Sequence, residues 1–308
     1  MANMVTIMAT YNGALYLRDA ISSITNDTDL FISDDLSTDN TLSVVNEFNC
    51  ERSLTLVTNF QGGSASRNFC HALNEVSDEY DYYFLSDQDD VWSENKSQLL
   101  YSEMLSLESL KGKDTPILIF GDSIVVDNEL KVIADSFFEY DGINPKILNN
   151  SANLFFQNIG QGATFIFNQA LLKLIRPIPL NVYMHDWWLM LYASHFGVLH
   201  LSKHKTLYYR QHGNNQIGAR KRSLISQVVS NIKGNGKVSK HMALVKNQII
   251  QFIERTAKFS CCNNHSVSFI HDYKSISNKN FLRRKMFLFK YRVYLSNFKR
   301  TLALYLFF

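Results

Sequence analysis

Proline, glycine, cysteine and long apolar runs are all scarce in this sequence, and each shortage excludes a class of protein. Only 4 of the 308 residues are proline and 13 are glycine, so collagen-like and linker-like chains are excluded. The 46% of apolar residues can form a hydrophobic core, which excludes a fully disordered chain. No apolar run approaches the ~20 residues that a membrane-spanning helix needs, and residues 1–10 lack the basic start of a signal peptide. The length predicts one large domain or two unequal ones.

The four cysteines do not have the spacing of a zinc site. Cys50, Cys70, Cys261 and Cys262 form no CxxC pair, and no histidine stands at zinc-finger distance from them. We therefore predict neither a disulfide framework nor structural zinc. The reducing cytoplasm is the expected location.

Charge is divided unevenly along the chain. Residues 1–209 contain 12 lysines and arginines against 26 aspartates and glutamates, whereas residues 210–308 contain 19 basic residues against 2 acidic ones. Such a split favours two functions within one chain: an acidic part that holds a cation or polar substrate, and a basic part that meets an anionic surface. Attraction between the two parts is the simpler alternative.

Strand-like and helix-like segments alternate through the first part of the chain. Short apolar runs end at turn signals or acidic residues, and segments with helical periodicity follow several of them. The predicted strands are Met4–Met8, Leu30–Ser33, Leu54–Thr58, Tyr82–Ser86, Ile117–Phe120 and Ala163–Asn168. This alternation predicts an α/β fold with a mostly parallel sheet covered by helices. Basic helical segments replace it further on, so we expect an α/β domain over residues 1–216 and a basic, mainly helical region over 217–308.

Polar clusters follow three of the predicted strands, at residues 10–12, 34–35 and 87–90. Because ligands of open α/β sheets bind at the carboxyl ends of the strands, the clusters predict one site. Asp87 and Asp89, two residues apart on an extended segment, place two carboxylates near one hard cation, for which Mg²⁺ or Mn²⁺ fits best. A solvated acidic turn is the alternative.

No glycine-rich phosphate loop follows the first strand. The absence of GxxxxGK[ST] and GxGxxG there argues against a Walker nucleotidase and a dinucleotide oxidoreductase. A nucleotide can still bind where a metal ion neutralises its phosphates.

Six motifs occur in an order that resembles a known family. They are VTIMATYNG, FISDDLSTDNT, GGSASRN, YFLSDQDDVW, MHDWW and YYRQHGNN. Together they resemble the inverting family 2 glycosyltransferases with the GT-A fold, and most closely the bacterial rhamnosyltransferase-like branch that builds surface polysaccharides. The resemblance covers residues 3–216. It implies a GT-A fold and the transfer of a sugar from a nucleotide donor with inversion.

The resemblance also implies roles for individual residues. The nucleotide would be bound by Ala9, Thr10, Tyr11, Asp34, Asp35, Arg67, Asp87 and Gln88. The metal ion would be held by Asp87, Asp89 and Asp90, which match or extend a DxD motif. Asp186 would be the catalytic base, and a segment with Arg210 and His212 would close over the donor diphosphate. The candidates for the acceptor or sugar pocket are Gln161, Gly162, His185, Trp187 and Trp188.

The residues around Asp186 support the role of a base independently. Asp186 is the only carboxylate in residues 142–253, and it stands between His185 and two tryptophans. Aromatic surroundings suit stacking on a sugar, and they raise the pKa of a carboxyl group. An inverting transfer needs one general base that deprotonates the acceptor hydroxyl. The alternative is that Asp186 caps the helix predicted over Trp187–Phe196, and one side chain can do both.

The C-terminal segment is basic and apolar. From Phe281 the chain runs FLRRKMFLFKYRVYLSNFKRTLALYLFF, with seven basic residues and no acid. A basic amphipathic segment of this kind is typical of an anionic membrane surface. We therefore expect a peripheral protein on the inner face of the cytoplasmic membrane. Packing onto the acidic domain remains an alternative, and nucleic acid is not expected because no recognition motif accompanies the charge.

Taken together, these features predict a metal-dependent hexosyltransferase. The best donor is dTDP-rhamnose, with a UDP-hexose as the alternative because one pocket architecture accepts both pyrimidines. The expected acceptor is a lipid-linked oligosaccharide in O-antigen or capsule synthesis. A sugar nucleotidyltransferase would need a phosphate loop after the first strand, and a non-catalytic membrane-bound scaffold would be expected to lose the DxD acids or the late base.

Overall fold

The computed structural model describes residues 2–212, 237–257, 264–276 and 280–308. Its contacts divide the described residues into two units. The first contains those of Met1–Phe137 and Gly160–Asn215, and the second those of Phe138–Ile159 and Gln216–Phe308. The boundary predicted after residue 216 lies outside the described residues. The division also differs from the single boundary that was predicted, because the segment Phe138–Ile159 groups with the C-terminal helices.

The first unit alternates strands and helices, as the sequence predicts. Its strands are β1 Met4–Thr10, β2 Asp29–Asp34, β3 Leu54–Thr58, β4 Tyr82–Asp87, β5 Val91–Trp92, β6 Ile117–Phe120, β7 Ile124–Val126, β8 Val132–Ala134, β9 Ile166–Asn168, β10 Val198–Leu201 and β11 Leu207–Arg210. Its helices are α1 Ala14–Ser23, α2 Thr41–Phe48, α3 Ala65–Glu75, α4 Lys96–Lys111, α6 Gln169–Ile175 and α7 His185–Phe196, and α5 Phe137–Asp141 spans the junction with the second unit.

Seven strands form the central sheet, in the order β10-β6-β9-β4-β1-β2-β3. Only β9 runs antiparallel to its neighbours, so the predicted mostly parallel α/β sheet is confirmed. The strands β5, β11, β7 and β8 form a second, smaller sheet that the sequence does not predict, because two of them have three residues and one has two. Helical crossovers cover the central sheet, which leaves its inner strands with apolar side chains on both faces.

The register of three parallel strands brings the polar clusters together. Thr10 pairs with Asp34 across β1 and β2, and Ala9 pairs with Asp87 across β1 and β4. The carboxyl ends of β2, β1 and β4 therefore lie side by side at one edge of the sheet. Apolar residues such as Ile7 and Phe84 are fully buried directly behind this edge. A rigid core thus holds the strand ends at which the site was predicted.

The predicted strand Ala163–Asn168 is shorter in the structure. Residues 162–164 form a 3-10 helix, and only Ile166–Asn168 joins the sheet. The turn is stabilised locally, because Thr164 Oγ1 donates to the Gln161 carbonyl at 2.8 Å.

The second unit is helical. After α5 it contains 3-10 helices at Pro145–Asn149 and Ser151–Phe155, then α8 Lys237–Thr256, α9 Asn264–Ile276, α10 Phe281–Lys290 and α11 Phe298–Phe307. No described helix is long and apolar enough to cross a bilayer. Cys50 and Cys70 are free thiols, and Cys261 and Cys262 lie outside the described residues.

Aromatic packing and amide hydrogen bonds explain why Phe138–Ile159 belongs to the second unit. Phe155 stacks on Phe269 with ring centroids 4.4 Å apart. Asn150 Nδ2 donates to the Tyr291 carbonyl at 2.8 Å, and Gln157 Nε2 donates to Ser296 Oγ at 2.6 Å. Each amide therefore finds its partner about 140 residues away along the chain, which no local sequence pattern reveals.

Candidate active site

The ends of β1 and β2 are locked together by Asp34. Its Oδ1 accepts from Thr10 Oγ1 at 2.8 Å and from Ser37 Oγ at 2.6 Å, and its Oδ2 accepts from the Ser37 backbone N–H at 2.8 Å. The carboxylate is buried, so these bonds are what satisfies it. Asp34 and Thr10, both predicted to bind nucleotide, therefore shape the wall of the site in this structure.

Asp35 joins the end of β2 to the loop that contains Gly62 and Gly63. Its Oδ2 accepts from the Gly63 N–H at 2.8 Å, and a Cβ on Gly62 would lie only 1.1 Å from its Oδ1. Residue 62 must therefore be glycine for the carboxylate to seat against the loop. Arg67 is exposed at the start of α3, where its guanidinium donates to the Gly62 carbonyl at 3.3 Å.

Gln88 joins the end of β4 to the loop after β1. Its Oε1 accepts from the Tyr11 N–H at 2.9 Å, and its Nε2 donates to the Tyr11 carbonyl at 3.1 Å. A Cβ on Gly13 would lie 2.2 Å from Gln88 Oε1, so the amide fits because residue 13 is glycine. The backbone of Tyr11 is thereby fixed while the residue remains 55% exposed.

The acidic run after β4 lies partly inside the protein. Burial, and then Asp89 and Asp186, raise the pKa of Asp87 to about 7. Burial, and then Asp89 and Asp87, raise the pKa of Asp90 well above its usual range. Lys96 is fully buried beside them and donates to the Ala163 carbonyl at 2.5 Å. These carboxyl groups lack sufficient positive charge from the protein, so the site is suited to a cation.

Arg210 lies beneath the acidic run. Its backbone N–H donates to Asp90 Oδ1, its Nε donates to the Asp89 carbonyl, and its Nη2 donates to Asp19 Oδ2 at 3.1 Å. The guanidinium also covers the Tyr16 ring at 4.6 Å, and the side chain is 2% exposed. The predicted diphosphate contact of Arg210 stays a prediction, but in this structure the side chain positions the DxD segment.

His212 contacts the acidic run directly. Its Nε2 lies 2.7 Å from Asp89 Oδ2, and its ring packs on Tyr16 with centroids 4.8 Å apart. Among the residues that the structure describes, no group of three or more His, Cys, Asp or Glu side chains is arranged to hold a metal ion. The predicted metal ligation by Asp87, Asp89 and Asp90 therefore stays a prediction. The rest of the YYRQHGNN motif, from Gly213, lies outside the described residues.

Asp186 lies in the first turn of α7, within reach of the acidic run. Its charge contributes to the raised pKa values of Asp87 and of the buried Cys70 thiol, so the late acid and the DxD segment share one site. The structure contradicts the N-cap alternative, because the helix begins at His185 and Met184 is the capping residue. Asp186 Oδ1 instead accepts from the Trp187 N–H at 2.6 Å.

His185 and Gly162 lie beside Asp186. The His185 ring stacks on Phe69 at 4.1 Å, and burial lowers its pKa to about 3, so the imidazole is neutral. Neither ring nitrogen has a hydrogen-bond partner among the described residues. A Cβ on Gly162 would lie 2.9 Å from His185 Nε2 and 3.4 Å from Asp186 Cβ. Gln161 Oε1 accepts from Ser123 Oγ at 2.6 Å.

The two tryptophans do not face the site. Trp187 and Trp188 are 2% and 0% exposed, and their rings pack near Tyr183 and Tyr192. The expectation that they stack on a sugar is therefore corrected: α7 is apolar on every side and is buried all round.

Two further residues organise the site without having been predicted. Asn68 Nδ2 donates to the carbonyls of Thr10 and Ser33, and its Oδ1 accepts from Ser33 Oγ at 2.7 Å. Lys96, described above, is the second. Asn68 could have been predicted as a site residue, because it lies within the GGSASRN motif. Nothing in the sequence near Lys96 distinguishes it from a surface lysine.

A parallel α/β sheet with a polar carboxyl edge, an acidic run after β4 and a late acid beside it defines the GT-A class of nucleotide-sugar transferases. The family model described as Glycosyl transferase family 2 matches residues 5–109. The chain is also 30% identical over 233 residues, 69% of its length and 74% of the relative, to the dTDP-rhamnosyl transferase RfbG of Shigella flexneri. The chain belongs to glycosyl transferase family 2, and it is a glycosyltransferase.

The chain also resembles solved structures of other proteins. S. aureus TarS 1-349 in complex with UDP-GlcNAc has a TM-score of 0.50 at 14% identity, over 94% of this chain and 80% of that one. The mannosyltransferase PcManGT from Pyrobaculum calidifontis, in complex with GDP-Man and Mn²⁺, has a TM-score of 0.47 at 12% identity, over 94% and 84%. The likeness to TarS supports the GT-A fold, and the predicted family and fold are confirmed.

Proposed function

We propose that the protein transfers rhamnose from dTDP-rhamnose, with inversion, to a hydroxyl of a lipid-linked oligosaccharide. The proposal rests on one arrangement above all: Gly162 lies against Asp186, and the next residue, Ala163, accepts from Lys96 beside the DxD segment. Asp186 also contributes to the raised pKa of Asp87. The similarity to a relative described as a dTDP-rhamnosyl transferase favours this donor. A UDP-hexose is the alternative donor.

The proposed reaction has Asp186 as its general base. The Asp186 carboxylate accepts the proton of the acceptor hydroxyl while the hydroxyl oxygen bonds to the anomeric carbon of the sugar. The bond from that carbon to the diphosphate breaks, and its electron pair leaves with the nucleoside diphosphate. The Trp187 N–H holds Asp186 Oδ1, so the carboxylate keeps one orientation during the transfer.

The pair Asp89 and His212 fits a divalent cation, for which we propose Mg²⁺ or Mn²⁺. Asp89 Oδ2 and His212 Nε2 lie 2.7 Å apart, at hydrogen-bond distance. The carboxylate oxygen is an ordinary ligand of both ions, and the imidazole nitrogen suits Mn²⁺ better than Mg²⁺. Diphosphate oxygens would complete the coordination, since the described residues supply no third ligand there. When bound, the ion would stabilise negative charge on the leaving diphosphate. Asp87 and Asp90 would add negative charge around it.

The nucleotide is proposed to lie along the edge formed by β1 and β2. The exposed Tyr11 ring offers a stacking surface for a base, and the Asp35 carboxylate can accept a hydrogen bond from a pyrimidine imide. Thymine and uracil present the same imide, so these residues do not separate dTDP from UDP donors. Ala9 and Gln88 fix the backbone around this surface.

The variant Asp186→Asn tests the base assignment. Transfer should fall by about 10²–10⁴-fold, because the amide cannot accept the proton. Binding of dTDP with Mn²⁺, measured by calorimetry, should be unchanged, because the amide keeps the volume of the side chain. Loss of nucleotide binding together with transfer would contradict the assignment. Turnover of a UDP-hexose, with dTDP-rhamnose left intact, would overturn the donor proposal.

A further inference from the structure

Helix α10 presents an apolar face to solvent. Phe281, Leu282, Met286 and Phe289 are all exposed, the last at 74%. At 100° per residue these four side chains occupy one continuous arc of the helix. Phe287 and Leu288 lie outside this arc and are buried in the second unit. The helix therefore packs with one face and leaves an equally apolar face uncovered.

Helix α11 extends this surface. Its exposed side chains Phe298, Leu302 and Leu306 follow one stripe, and Tyr305 shares a cleft with Met286 and Phe289 of α10. The two stripes therefore belong to one surface. We call this surface the outer face, and it consists of Phe281, Leu282, Met286, Phe289, Phe298, Leu302 and Leu306. Apolar patches of this kind mark interaction sites.

Positive charge is interleaved with the outer face. Lys285 lies within it, with its Nζ 4.2 Å from the centre of the Phe281 ring. The Lys285 Nζ is itself buried, and burial, and then Arg284 and Lys246, lower the pKa of Lys285 to about 8. The exposed neighbours Arg283 and Lys299 are cations that solvent reaches. Residues 281–308 contain no acid.

Neighbouring acids neutralise only part of this charge. Asp272 pairs with Lys290, and Asp141 pairs with Arg300, within the second unit. Arg283, Lys285 and Lys299 have no carboxylate at ion-pair distance among the described residues. The outer face thus combines aromatic and aliphatic groups with an excess of positive charge.

We propose that the outer face binds the surface of an anionic lipid bilayer. Aromatic and aliphatic side chains enter the boundary between headgroups and acyl chains, while lysine and arginine meet the lipid phosphates. A second copy of the chain is a poorer occupant, because a symmetric contact would place the same cations against one another. The proposal does not depend on the donor or the acceptor, since it concerns only the second unit.

Vesicle sedimentation of the full chain tests the proposal. The protein should bind vesicles of phosphatidylcholine with phosphatidylglycerol more tightly than pure phosphatidylcholine, and high salt should weaken binding. Phe289→Ser should lower the partition coefficient by about tenfold, because a mostly exposed aromatic side chain loses its insertion. Lys299→Gln, at an exposed lysine without a carboxylate at ion-pair distance among the described residues, should lower it by about fivefold on anionic vesicles only.

The matched control is Leu110→Ser, at a residue of α4 that is 77% exposed in the first unit. This variant should bind vesicles like the parent protein, and circular dichroism should show that all variants are folded. Binding that is absent, or that falls equally in the control, would overturn the proposal. A self-association in solution that Phe289→Ser abolishes, without any vesicle binding, would assign the outer face to a second copy instead.

Discussion

The contact between Gly162 and His185 allows one prediction to be worked in detail. A Cβ at residue 162 would lie 2.9 Å from His185 Nε2, whereas ordinary contacts begin near 3.4 Å. In Gly162→Ala the imidazole must therefore move by a few tenths of an ångström, and Asp186 is the next residue of the same helical turn. Since a 1 Å misplacement can cost about 10²-fold, we expect kcat to fall by about tenfold.

A double-mutant cycle separates this effect from a general loss of structure. His185→Ala removes the ring that the new Cβ would meet, and the remaining contact with Asp186 Cβ, at 3.4 Å, is ordinary. Gly162→Ala should therefore have little effect on kcat in the His185→Ala background. A tenfold difference between the two backgrounds corresponds to a coupling of about 1.4 kcal/mol.

The assay is steady-state transfer with the donor that the parent enzyme uses, together with nucleotide binding by calorimetry. Nucleotide affinity should be the same in all four proteins, because Tyr11 and Asp35 lie at the other strand ends. An equal loss from Gly162→Ala in both backgrounds would refute the steric reasoning. A normal kcat in the single variant would refute the claim that Gly162 sets the position of Asp186.

Two further predictions concern histidines. His212→Ala should weaken nucleotide binding by about tenfold in the presence of Mn²⁺ and leave it unchanged without metal, because one of the paired ligands is lost. Calorimetry with and without the ion measures both affinities. An equal loss under both conditions would argue against metal ligation. His185, with a folded pKa of about 3 against about 6.5 when unfolded, binds its proton only in the unfolded state between these values. Stability should therefore fall as the pH drops from 6.5 towards 3, by up to about 1.4 kcal/mol per pH unit from this group, and His185→Gln should flatten the slope in urea unfolding. An unchanged slope would show that the ring is not buried in its neutral form.

The strand ends could be predicted because each depends on a local pattern. An apolar run that stops at a polar cluster fixes both the strand and the place where its last side chains lie. β1, β2 and β4 all follow this rule, so the sequence alone places Asp34 and Asp87 at one edge of the sheet, as the strand register confirms. The short strands of the smaller sheet could not be predicted, because two or three residues carry no measurable periodicity.

The hydrogen-bond partners of Asp34 and Arg210 could not be predicted from the sequence. A carboxylate or guanidinium at a strand end can contact the ligand, or it can form hydrogen bonds to neighbouring protein segments. The sequence does not distinguish these two roles. Asp34 is occupied by Thr10 and Ser37, and Arg210 by Asp19 and the DxD backbone. These contacts join residues up to about 190 positions apart, and only the folded chain determines them.

The tryptophans of α7 show an error of a different kind, because the sequence did carry the signal for burial. The helix His185–Phe196 is apolar on every side, which is typical of a helix enclosed by its domain. Both tryptophan rings are held inside the domain, at 2% and 0% exposed, near Tyr183 and Tyr192. Weighing the whole helix rather than the motif would have placed Trp187 and Trp188 in the core. The polar residues of its first turn, His185 and Asp186, are then the ones left to face the site, and they are the residues whose substitution should alter transfer.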